Sequence, residues 1–189
     1  MENLSRIFGS PARLKTLRLF LLNQDRAFSV QETADRSKLT RESARYELAE
    51  LTASGLLRKK GSKAKVLYQV NPRYEYLEAF DTFVRETANV RPKEMVKALK
   101  KAGTLQVVAL SGHFMGLIEP QIDLLVVGDH ISERVLAQVV KSLEAEHGRE
   151  IRYASFATAD FRYRREVYDR LLRDIFDYPH RLLIDRLGV

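Results

Sequence analysis

The sequence predicts an α+β protein in two parts. An N-terminal group of three short helices closed by a β-hairpin comes first, and a small α/β domain follows. Three observations predict it. Apolar residues recur at helical spacing between Leu14 and Leu51, with Ser or Thr before each run. Two extended segments flank Gly61-Ser62. Beyond Pro92 the pattern changes to continuous apolar runs that alternate with amphipathic helix patterns. The expected parts are residues 1–72, a linker helix within 73–91, and residues 92–189.

In the first part, Ser10-Pro11 starts a helix, because Ser can cap and Pro fits the first helical position. Leu14, Leu17, Phe20 and Leu21 form its inner stripe, with Lys15 and Arg18 off that stripe. Phe28 is expected in a short extended contact, and Ser29 caps a second helix to about Arg36. Thr40 caps a third helix that runs to Ser54, with Ala44, Leu48 and Leu51 inward and Gly55 as the stop. The hairpin follows, with its turn expected at Gly61-Ser62. A helix from about Arg73 to Thr87 then carries Tyr76, Leu77, Phe80, Phe83 and Val84 on one apolar face. That face could pair two copies or pack on its own domain, and pairing is the preferred expectation. Val90-Arg91-Pro92 breaks the chain before the second part.

Charge is distributed unevenly. Residues 1–70 hold fourteen Lys/Arg against seven Asp/Glu, which accounts for the whole net charge of +7. The remainder is neutral. Five of the eight residues from Arg58 to Lys65 are basic. So many like charges on one hairpin repel one another unless a polyanion neutralises them, and nucleic acid is the default polyanion. A cationic hairpin after three helices has the layout of a winged helix, whose third helix enters the major groove of double-stranded DNA. Arg41 and Arg45 are the candidates for guanine contacts, since a guanidinium reaches O6 and N7 together. Thr40, Ser43 and Tyr46 are candidate phosphate or shape contacts, and Arg58, Lys59, Lys60, Lys63 and Lys65 candidate phosphate contacts. Against this, Arg41 and Arg45 could pair with Glu42, Glu47 or Asp35 on a solvated face.

These residues resemble the ArsR/MarR-like winged-helix regulators over roughly residues 8–71. The likeness rests on Ser10-Pro11-Ala12-Arg13-Leu14, on Thr40 through Leu48, on Leu51 through Leu57, and on the basic hairpin. It implies a DNA-binding transcription regulator; small reading heads usually pair half-sites, so a homodimer is expected, and the short N-terminal apolar run Leu19–Leu22, with no cleavage site after it, leads to the expectation of a cytoplasmic protein. The metal-sensing members use cysteine ligands, and this chain has no cysteine.

In the second part, helix 93–102 precedes a strand at Thr104–Leu110, a small-residue loop at Ser111-Gly112-His113, and a strand at Ile122–Val127. A helix from Ser132 to His147, a strand from Glu150 to Thr158, and one long helix to about Phe176 follow. The long helix is expected to turn Phe161, Val167, Tyr168, Leu171, Leu172 and Ile175 inward. Its arginines are expected to pair along the surface as Arg165–Asp169, Arg170–Asp174 and Arg173–Asp177. A last short helix holds Leu182, Leu183 and Leu187.

This order resembles the minimal nucleotidyltransferase domain of the DNA polymerase beta superfamily, over roughly residues 92–189. The resemblance implies a phosphate-holding Gly-Ser loop and three carboxylates binding two metals. The chain departs from it. The loop reads Gly112-His113, Gln121 stands at the paired acidic position before Asp123, and Arg152 falls where a third acid is needed. The expectation is therefore a domain without catalytic or metal-binding residues, serving assembly or effector sensing. The alternatives are a divergent metal-dependent nucleotidyltransferase, or a nucleotide effector held by Ser111, Gly112, His113 and Asp123. A Ser111–His113–Asp123 triad has no support from spacing, and the four histidines show no metal-ligand spacing. No apolar run is long enough to span a membrane.

Overall fold

A computed structural model describes residues 3–62, 65–87, 91–117 and 121–189. Lys63 and Val90 lie outside this set. The fold is α+β and divides into two compact units. The first comprises Met1–Asn89 and Lys141–Arg149, and the second Val90–Val140 and Glu150–Val189. Among the described residues no helix is long and apolar enough to cross a membrane.

The first unit begins with a short helix α1 (Asn3–Ile7), followed by α2 (Pro11–Leu21), α3 (Val30–Ser37) and α4 (Arg41–Ala53). Local chemistry sets each start. Ser10 Oγ accepts from the amides of Ala12 and Arg13. Ser29 and Glu32 form a reciprocal capping box. Thr40 Oγ1 accepts from Ser43 N. The antiparallel hairpin joins β1 (Leu57–Ser62) to β2 (Lys65–Val70). Its strands run past the expected turn, since Ser62 still pairs with Lys65. Gly61 is needed within it, because φ is +90° and a Cβ would collide with Lys65 O.

Phe28 ties the hairpin to the helices. Its amide donates to Tyr68 O at 2.9 Å, and Tyr68 N donates back at 2.8 Å. Its ring, 2% exposed, meets Phe20 edge-on with centroids 5.4 Å apart. Around it lie Leu17, Leu21, Leu48, Leu56, Leu57 and Val70.

Two expectations for this unit change. The linker helix α5 starts later, at Leu77 (Leu77–Thr87), because the Asn71 side chain holds a turn. Its Nδ2 donates to Gly55 O and its Oδ1 accepts from Arg73 N. On the predicted apolar face of this helix Val84 is buried, Leu77, Phe80 and Phe83 pack partly against the unit's own core, and Tyr76 is exposed. Arg18, expected off the apolar stripe, is 3% exposed. It donates to Thr87 O and to Glu146 O, carbonyls in the last turns of two helices, where cations suit the dipole. Burial on every side of α2 hid this role from a reading of its stripe.

The second unit opens with α6 (Pro92–Leu99) and a mixed four-stranded sheet, β5-β4-β3-β6. Strands β3 (Thr104–Leu110) and β4 (Leu124–Asp129) are antiparallel and fully buried through their centres. Helix α7 (Glu133–His147) links β4 to the parallel β5 (Tyr153–Phe156), and its residues from Lys141 on group with the first unit. Val107, Ala109, Leu125 and Val127 face Phe161, Leu172 and Ile175 in one core.

The expected long helix is two, α8 (Thr158–Glu166) and α9 (Arg170–Phe176). Tyr168 breaks it with φ at +54°, and Asp169 caps the restart through Leu171 N and Leu172 N. Ala157 takes the N-cap position of α8 and makes no side-chain bond. Val167 and Tyr168 are exposed, not inward. The expected last helix is a strand, β6 (Arg181–Asp185), antiparallel to β3. A short apolar run such as Leu182-Leu183-Ile184 suits either state, and the open edge of β3 decides it.

Phe28→Ala removes the ring that packs the hairpin against α2. It is expected to destabilise the first unit by about 3–5 kcal/mol in denaturant unfolding followed by circular dichroism.

Candidate nucleic-acid interface

Helix α4 is held by an inward acid. Glu47 is 2% exposed and pairs with Arg13 Nε at 2.8 Å. The bond to Glu47 leads the causes that raise the Arg13 pKa. With Glu47 so engaged, the outer face of α4 carries Arg41, Glu42, Arg45 and Tyr46, all exposed. Neither Arg41 nor Arg45 makes an ion pair or hydrogen bond among the described residues. The alternative pairing of these arginines with Glu42, Glu47 or Asp35 does not form among the described residues; Glu47 engages Arg13 and Asp35 accepts from Gln31. Thr40 Oγ1 caps the helix, and Ser43 is half-buried beside it.

The hairpin extends this cationic surface. Arg58, Lys59, Lys60 and Lys65 are exposed and make no ion pair among the described residues. Strand alternation puts Arg58 and Lys60 on one face, and Lys65 joins them through its pairing with Ser62. The other face carries Leu57, Val70 and Tyr68 into the core. The sheet pleat therefore sorts apolar residues inward at the base of the hairpin and leaves cations along its length. Lys63 belongs to the same predicted set and lies outside the described residues. Sequence reasoning missed Glu47, whose partner stands thirty-four positions away.

The second unit brings together Ser111, Gly112, His113 and Asp123, but around the carboxylate and not around an open cradle. Asp123 has no exposed surface. It accepts from His113 N at 2.9 Å, Arg152 N at 3.0 Å, Arg152 Nε at 2.9 Å and Arg152 Nη2 at 2.8 Å. His113 Nδ1 lies 3.0 Å from the same carboxylate. Burial alone would push the Asp123 pKa up; the bonds from Arg152 and then His113 outweigh it and hold the group well below the ordinary carboxylate range. Gly112 is forced, since φ is +49° and a Cβ would collide with Asp123 Oδ1. Arg152, noted in the sequence only as a misplaced charge, is the principal partner here.

Comparison with known proteins finds no match for this chain among family models, curated proteins or solved structures.

Asp123→Ala leaves the His113 and Arg152 donors without their acceptor and is expected to cost about 3 kcal/mol of stability. Because the folded pKa is depressed, Asp123 contributes stability at pH values above the ordinary carboxylate range, and that contribution falls as the pH drops through it. Asp123→Asn should therefore flatten the acid limb of a stability-against-pH curve, measured by thermal unfolding.

Proposed function

We propose that the first unit is a winged helix-turn-helix that binds double-stranded DNA, and that the protein is a sequence-specific transcriptional regulator. In this reading α4 is the recognition helix in the major groove, and the hairpin is a wing lying along flanking phosphates. The observation that supports it is that six exposed cations on those two neighbouring elements, Arg41, Arg45, Arg58, Lys59, Lys60 and Lys65, make no ion pair among the described residues, Lys65 acting on Glu32 only through its charge. A guanidinium or ammonium without an internal carboxylate keeps its full charge for phosphate, and binding releases the counterions condensed on the duplex. Arg41 and Arg45 stand one helical turn apart, which lets both address neighbouring base edges. Two copies on paired half-sites would double the contact surface.

We assign the second unit a nucleotidyltransferase-like fold without catalysis, serving assembly or effector sensing. The support is chemical. Asp123, the one acid retained at the expected position, already has both carboxylate oxygens committed to Arg152 and His113. Any ligand acting through that carboxylate must first displace a guanidinium.

The test is a binding titration against salt with duplexes selected from a random pool. Log affinity should fall steeply with log salt. Replacing Lys59, Lys60, Lys63 and Lys65 with alanine should flatten the slope by about one unit for each phosphate that is no longer neutralised. Arg41→Ala or Arg45→Ala should cost about 1–3 kcal/mol on the selected site and relax base preference there. An unchanged slope in the quadruple variant would remove the wing assignment.

A further inference from the structure

One acid stands among the cations of α4. Glu42 is exposed in the first turn of the helix and makes no hydrogen bond or ion pair among the described residues. Arg45, three positions on, lies at pairing distance along a helix, yet the two do not pair. The other acids of this helix are engaged. Glu47 holds Arg13 at 2.8 Å, and Glu50 lies 3.8 Å from the same guanidinium. A free carboxylate works against phosphate binding, so its place on the helix decides what it meets.

The buried residues of α4 fix that place. Ala44, Glu47, Leu48 and Leu51 are buried and share one arc. At about 100° per residue the middle of the opposite side falls at Glu42, with exposed Ala49 in line behind it. Tyr46 lies about 40° to one side of Glu42 and Arg45 about 60° to the other, with Arg41 further round. Of the exposed residues in the first turn, Glu42 points most directly away from the core.

A helix in the major groove presents its N-terminal turn to base edges, while residues on its flanks reach phosphates. A carboxylate can only accept, so it needs a donor on the base. Guanine offers two acceptors there. Adenine sets its N7 acceptor beside its N6 donor, where a carboxylate oxygen is repelled. Cytosine presents its N4 amino group without a neighbouring acceptor.

We propose that Glu42 is a specificity-determining residue that accepts from the N4 amino group of one cytosine in the bound duplex. Its charge repels the phosphates of every duplex, and only a cytosine at the matching position offsets that repulsion. Glu42 thus lowers affinity in general and raises selectivity. The proposal rests on the DNA-binding reading above and adds an acid-read C·G pair to the guanine contacts assigned to Arg41 and Arg45.

Selection of bound duplexes from a random pool tests it, run with the full chain and with its Glu42→Ala and Glu42→Gln variants. The unaltered chain should select cytosine at one position, and replacing that C·G pair should weaken binding about tenfold. Glu42→Ala should lose this preference and bind unselected duplexes more tightly. Glu42→Gln should move the preference to adenine, because an amide accepts from N6 and donates to N7 together. A carboxylate that served only the helix dipole would lower thermal stability on removal and leave base preference unchanged. Circular dichroism checks that each variant is folded. A selected site without a cytosine position, a cytosine preference kept by either variant, or a change confined to the guanine positions would overturn the proposal and leave DNA binding standing. Failure to bind any duplex would remove both readings.

Discussion

Glu47 points inward from α4 and holds Arg13, and the surface of that helix follows from this one commitment. Placed inside, it anchors α4 to α2, while Arg41, Glu42 and Arg45 stay exposed on the outer face and neither arginine makes an ion pair among the described residues. Glu32 acts in the same sense at the start of α3. Its carboxylate accepts the Ser29 amide, and that backbone bond leads the causes that lower its pKa. Glu47 and Glu32 thus hold parts of the frame, while the cations of α4 and the hairpin face outward.

The second unit repeats the arrangement with different results. Asp123 locks the Ser111-Gly112-His113 loop to the start of β5 through Arg152. Asp169 restarts a helix and engages Arg164, and Arg165 is left exposed as a consequence. Each case exchanges surface neutrality for a local constraint. A buried ion pair is not by itself a large source of stability, because desolvation offsets the attraction. Its effect here is to fix geometry, and to decide which charges remain for partners.

The features legible in the sequence are those whose causes lie within a few residues. Ser10, Ser29 and Thr40 announce their helices because each bonds an amide two or three positions on. β3 and β4 announce themselves as unbroken apolar runs. The break at Tyr168, the strand at Arg181–Asp185 and the burial of Arg18 depend on distant partners, so no local pattern marks them. The candidate interface divides the same way. Residue type identified the cations of α4 and the hairpin, but the inward pair of Glu47 with Arg13 joins residues far outside any helical window.

Arg18 carries a consequence for the order of folding. Its guanidinium closes the ends of α5 and of α7, and the latter belongs to Lys141–Arg149. The first unit therefore contains a piece synthesised only after most of the second has emerged. β3 in turn waits for β6, much further along the chain. A nascent chain would display the bare edge of β3 until β6 emerges, the state in which strand exchange and aggregation begin. Maturation of the two units is thus interlocked in time by the path of the backbone.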